Sequence, residues 1–156
     1  MTNSIYYYIV ITMNRQASGA RGLFQAKCRQ AGLKITPQRL IIYESLASDK
    51  SHPCAEEVFR KAKEKFPNIS FDTVNRTLLS FAGIGMLKVV EGHGRPKRFD
   101  PDMKSHHHFQ CIKCARIIDF HNPYYDALDV PGSIKGVSAV TGKKVVLEGL
   151  CSNCKR

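Results

Sequence analysis

Two cysteine pairs, Cys111-x-x-Cys114 and Cys151-x-x-Cys154, are the residues of this 156-residue chain whose spacing most directly implies chemistry. Each pair sets two thiols on a tight knuckle, and two knuckles can grip one tetrahedral ion. The 36 residues between them exceed a usual zinc-ribbon loop, so a strand–helix–strand insert is expected there. Four thiolates favour Zn2+ in a closed structural site, whose binding energy becomes folding energy. A pair of redox disulfides and a rubredoxin-like iron site are the competing readings. Cys28 and Cys54 have no partner motif and read as core or surface thiols.

A harder ligand set lies beside the first knuckle. His106, His107 and His108 precede it, and Asp119 follows Cys114 by five residues. In an extended segment His106 and His108 project to one side and His107 to the other, and Asp119 on the returning strand can join the first two. Imidazole and carboxylate suit Mn2+, Fe2+ or Zn2+ with five or six ligands. The segment from His106 to Phe120 thus combines a structural clamp with an exchangeable centre. A solvated histidine loop is the alternative.

These groups need a scaffold, and 43% hydrophobic with 24% charged residues indicate a globular chain with a core. Thr36 and Pro37 start one helix, with Leu40 and Tyr43, or Ile41 and Glu44 beside them, and Leu46 to Ala47 as its buried stripe. Pro53 is expected to start the next, burying Val58, Phe59, Ala62 and Phe66, and a further helix buries Val74, Leu78 and Phe81 before Gly83 and Gly85. An earlier helix is expected from Leu23 to Ala31, stopped by Gly32. "MLKVVEGHGRPKRFD" then reads as two short strands around a basic turn. Helices followed by a basic hairpin describe a winged helix-turn-helix, with its last helix in the major groove. Charge agrees: residues 1–98 hold 16 basic and 7 acidic side chains, against 8 and 6 in residues 99–156. A basic half of that size suits a polyanion.

The expected fold class is therefore α+β, an N-terminal winged helix-turn-helix domain followed by a small α/β domain with a structural zinc site. The expected division is an extension at 1–22, a DNA-binding domain at 23–98 and a metal-binding domain at 99–156. Ile5 to Met13 is apolar for nine residues, short of the roughly 20 that span a bilayer. It also lacks the basic start of a secretory signal. A cytoplasmic protein with reduced cysteines and no membrane association is expected, with Met13 an alternative start.

"TPQR", "HPCAEEVF", "FPNISFDTVNRTL", "GRPKRFD", "HHHFQCIKC", "IIDF" and "CSNC" occur in this order. Together they resemble the ferric uptake regulator family from about residue 24 to the C-terminus, and within it the peroxide-sensing repressors. The resemblance implies a homodimer on double-stranded operator DNA, with Zn2+ on the four cysteines. It implies a regulatory Fe2+ or Mn2+ on His52, Asp100, His106, His108 and Asp119; aspartate at the last position favours the peroxide-sensing branch. Arg39, Ser70, Thr73, Asn75 and Arg76, with Arg95 and Lys97 of the wing, are the expected DNA contacts. Asn75 departs from the family's usual tyrosine and can pair with adenine, so the operator preference is expected to differ.

The resemblance further implies that the C-terminal α/β domain is the dimerisation domain, and that peroxide acting on bound Fe2+ oxidises His52 or His106 and releases the DNA, a single event and not enzymatic turnover. An iron, manganese or zinc uptake regulator without peroxide sensing is the alternative. A zinc deaminase is disfavoured because the chain lacks the His-x-Glu and Pro-Cys-x-x-Cys signatures. A constitutive zinc-stabilised DNA-binding module is the third reading.

Overall fold

The structure is a computed structural model that describes residues 19–47, 49–90, 96–136 and 139–155. Most of the N-terminal extension and the wing residue Arg95 lie outside the described residues. Two compact units divide after Met103.

The first unit holds α1 (Ala20–Gln30), α2 (Pro37–Leu46), α3 (Ala55–Lys65), α4 (Phe71–Gly83), β1 (Lys88–Val90) and β2 (Arg98–Asp100). This is the helices-then-hairpin order expected of a winged helix. The helix starts follow local chemistry. The Thr36 hydroxyl accepts the Arg39 N–H, with Pro37 at the first helical position, and the Ser70 hydroxyl accepts the Thr73 N–H. Gly32, at a φ of 64°, follows the end of α1 in a conformation costly for residues with a Cβ.

Phe24 and Cys28 of α1, Leu40, Ile42 and Leu46 of α2, Val58 and Ala62 of α3, and Val74, Leu78 and Phe81 of α4 meet in one core. Phe24, Tyr43 and Phe81 are its aromatic centre, with ring centroids 5.3 to 6.3 Å apart. Cys28 is buried there, and burial pushes its thiol up. It is a core residue.

Two helix starts differ from the sequence reading. α1 begins at Ala20, because the Leu23 N–H already reaches the Gly19 carbonyl. α3 begins at Ala55, not Pro53: Cys54 is the N-cap, in a reciprocal box with Glu57. Pro53 stays outside because the Phe99 N–H donates to its carbonyl and Cys54 bridges Arg98, extending the edge of β2. The same strand explains the domain division. Residues 98–100 pair antiparallel with 88–90, so Asp100 belongs to the first unit.

The second unit contains β3 (His107–Cys111), β4 (Ile117–Phe120) and β5 (Val146–Gly149) in the order β4-β3-β5. β3 is antiparallel to β4 and parallel to β5. A parallel return needs a crossover, supplied here by a segment containing the single turns α5 (Pro123–Asp126) and α6 (Gly132–Lys135). Among the described residues no helix is long and apolar enough to cross a membrane.

Phe81 is fully buried between Phe24 and Tyr43. Phe81→Ala is expected to lower unfolding free energy by about 3–5 kcal/mol in urea titrations.

Candidate metal centres

The parallel pairing of β3 and β5 sets Cys111 opposite Gly149, and the Ile112 N–H donates to the Gly149 carbonyl at 2.9 Å. Both knuckles therefore leave the same end of the sheet. Their four ligand atoms all lie within 4.8 Å of one another, and the Cys114 and Cys151 sulfurs are 3.7 Å apart. A tetrahedron with metal–sulfur bonds of about 2.3 Å has edges of about 3.8 Å. The thiols thus stand at the spacing of ligands around one ion.

Electrostatics supports the same grouping. The Cys111 thiol is drawn down to about 6, chiefly by the Cys114 and Cys151 N–H groups. Cys154 is pushed up to about 12, first by the neighbouring Cys151 thiol and then by burial. Four thiolates at this spacing repel one another, so ionising all of them requires a cation. Zn2+ fits the donor set. The first knuckle ends at Ala115, buried and at a φ of 61°, a left-handed conformation that costs a residue with a Cβ roughly 1–2 kcal/mol.

At the other end of β3, strand alternation sorts the histidines. His108 pairs in register with Asp119 of β4. The Nε2 atoms of His106 and His108 approach to 3.0 Å, and Asp119 Oδ1 lies 3.8 and 3.5 Å from them. His106 Nδ1 is 2.9 Å from the Lys104 carbonyl, a contact that places the ring proton on Nδ1 and turns the Nε2 lone pair toward the cluster. Two imidazoles and a carboxylate converge, a donor set suited to Fe2+, Mn2+ or Zn2+.

In the first unit His52 and Asp100 are buried, with His52 Nε2 3.8 Å from Asp100 Oδ1. Arg98 and Asp100 alternate to one side of β2, and both engage the His52 segment. Arg98 Nη1 donates to the His52 carbonyl at 3.3 Å and to Glu57 Oε2 at 2.8 Å. Burial raises the Glu57 carboxyl, but hydrogen bonds from the Cys54 N–H and thiol, then Arg98 and Arg60, outweigh it and leave the pKa lowered. This support holds His52 at a φ of 54°, a conformation of about 1–3 kcal/mol strain that structure retains where function uses it.

Ser70, Thr73, Asn75 and Arg76 lie on or at the cap of α4. Arg76 is exposed and paired with Asp72 one turn earlier at 3.2 Å. Arg39 Nη1 donates to the Lys34 carbonyl, and Lys97 is exposed at the start of β2. The sequence reading left His107 and Arg98 without roles. Both are found by alternation, as the neighbours one strand position from His108 and two from Asp100.

A model described as the ferric uptake regulator family matches residues 30–134. A peroxide-responsive repressor of Staphylococcus epidermidis is 38% identical over 130 residues, covering 83% of this chain and 87% of its own. One from Staphylococcus aureus is 34% identical over the same length, covering 83% and 88%. Among solved structures, the Helicobacter pylori ferric uptake regulator, described as having three functional metal-binding sites, superposes with a TM-score of 0.73 at 22% identity, covering 86% of this chain and 91% of that one. The Vibrio cholerae ferric uptake regulator gives 0.63 at 27%, covering 81% and 98%.

Ala115→Gly relieves the left-handed strain at the knuckle and returns part of the gain as unfolded-state entropy. A net stabilisation of roughly 0.5–1 kcal/mol is expected in denaturant melts of the zinc-loaded protein.

Proposed function

Because the chain belongs to the ferric uptake regulator family, we propose that it is a metal-dependent repressor that binds operator DNA as a cytoplasmic homodimer and releases it on reaction with peroxide. The observation that carries this reading is the convergence of His106, His108 and Asp119 at one end of the β3–β4 pair, whose other end carries a separate four-thiolate cluster. A closed sulfur site leaves no position for exchange, whereas the His/Asp set suits an exchangeable ion.

His52 and Asp100 supply two donors and the triad three, so each falls short of the five or six ligands that Fe2+ or Mn2+ takes. One ion using both sets would favour a single arrangement of the DNA-reading and sheet units. Moving such an equilibrium from 1:99 to 99:1 needs about 5.5 kcal/mol of differential affinity. The basic first unit then meets the phosphates, and Asn75 and Arg76 of α4 meet base edges. Arg39, Ser70, Thr73, Lys97 and Arg95 serve as the remaining contacts. The 34–38% identity to peroxide-responsive repressors and the carboxylate at Asp119 support peroxide sensing. With Fe2+ bound, the chemistry supplied is reduction of peroxide with transfer of an oxygen atom to a ligand histidine, His52 or His106.

Fluorescence anisotropy with operator DNA tests this. Mn2+ or Fe2+ is expected to tighten binding by roughly tenfold or more, and His106→Ala or Asp119→Ala to abolish that gain while zinc is retained. Brief dilute peroxide should release only the Fe2+ form and add oxygen to the His52 or His106 peptide by mass spectrometry. Continued binding by both forms, without histidine oxidation, would instead support an iron, manganese or zinc uptake regulator.

A further inference from the structure

His107 lies between two residues of the metal set yet points to the opposite face of β3, where it is fully buried. Its Nδ1 accepts the Val145 N–H at 3.2 Å, and the Val145 carbonyl accepts the His108 N–H at 3.1 Å. One residue of the crossover thus grips two successive residues of β3, and the imidazole acts as an extra carbonyl that lengthens the β3–β5 ladder by one rung. Since Nδ1 accepts, the ring proton is on Nε2, which lies 3.4 Å from Asp126 Oδ1 of α5. Phe120 and Tyr125 pack on the ring, at centroid distances of 5.4 and 5.6 Å.

The contacts close a circuit. Lys143, two residues before Val145, donates through Nζ to the Asp126 and Leu128 carbonyls at 2.6 and 2.5 Å, tying the crossover back to α5. A core position that needed only volume would be filled by leucine, without polar atoms to satisfy. Nδ1 instead fixes β3 against the crossover through the Val145 N–H, and Nε2 faces the Asp126 carboxylate without a hydrogen bond to it. In a strand, the roll of the backbone about its own axis aims the side chains on both faces together.

We propose that His107 is a positioning residue of the His106–His108–Asp119 centre, acting through the roll of β3. This rests on the metal reading above. Groups that orient ligands from behind typically contribute 10- to 100-fold in metal affinity.

The test uses the full-length, zinc-loaded protein, titrated with Mn2+ and read by the electron paramagnetic resonance signal of the free ion. His107→Phe keeps the ring packing and loses the Nδ1 link to Val145, so Mn2+ binding should weaken about 10- to 100-fold at unchanged zinc content. Asn Oδ1 sits where His Nδ1 does, so His107→Asn should recover most of the affinity. Asp126→Asn, at a half-exposed carboxylate, should weaken binding severalfold without affecting zinc. A purely structural role would lower melting temperature and leave the Mn2+ affinity of the folded protein unchanged. Equal affinity in His107→Phe and the parent would overturn the inference. So would loss of zinc in His107→Phe together with parental affinity in Asp126→Asn. If His108→Ala also bound Mn2+ like the parent, the metal reading itself would fail. A loss in His108→Ala but not in the His107 variants would overturn only the positioning role.

Discussion

Four sulfur ligands within 4.8 Å of one another cannot all carry negative charge unless a cation sits among them, and the second unit depends on that constraint. Its 53 residues bury little apolar surface, chiefly Cys111, Ala115, Ile117 and Cys151, together with three histidines. Units of this size are marginal without a disulfide or a metal. The topology adds difficulty, because β5 runs parallel to β3 while Val146 and Leu147 remain substantially exposed. Parallel strands are normally covered on both faces. A metal joining the knuckles at the ends of β3 and β5 would hold this pairing where hydrophobic burial does not.

The six residues 106–111, β3 with the residue before it, then serve three ends. Cys111 joins the thiolate cluster, His106 and His108 face Asp119, and His107 reaches behind to Val145 and Asp126. The first unit has a parallel economy in β2, where Asp100 faces the His52 imidazole and Arg98 holds the His52 backbone. In both units a short strand supplies a donor and the contact that fixes a neighbouring donor. Asp100, His108, Cys111 and Asp119 sit on strands, and His52 and His106 in the segments beside them.

Much of this was legible where one local rule decides the outcome. Thr36 with Pro37 and Ser70 with Thr73 start helices through contacts within four residues, and the buried faces of α4 follow from 3.6-residue periodicity. The grouping of His106 with His108 follows from alternation alone. The start of α3 was not legible, because the Phe99 N–H competes for the Pro53 carbonyl from more than 40 residues away. The two strands around the basic turn were legible as a pattern, but that Asp100 falls in the first unit depends on the pairing of residues 98–100 with 88–90. Ile41, the expected alternative to Leu40 and Tyr43, is buried together with them, as is Ile42, because α2 is covered by α1, α3 and α4, which no stripe within α2 reveals. His107 read as the histidine facing away; its partners Val145 and Asp126 are distant in sequence.

The measurement closest to the central claim is amide hydrogen exchange of the reduced protein before and after the thiolate metal is stripped. The account predicts that β3, β4 and β5 lose protection on stripping while α1 to α4 retain theirs. Equal protection of the three strands in both states would contradict it, because the sheet would then hold without a cation among its thiolates.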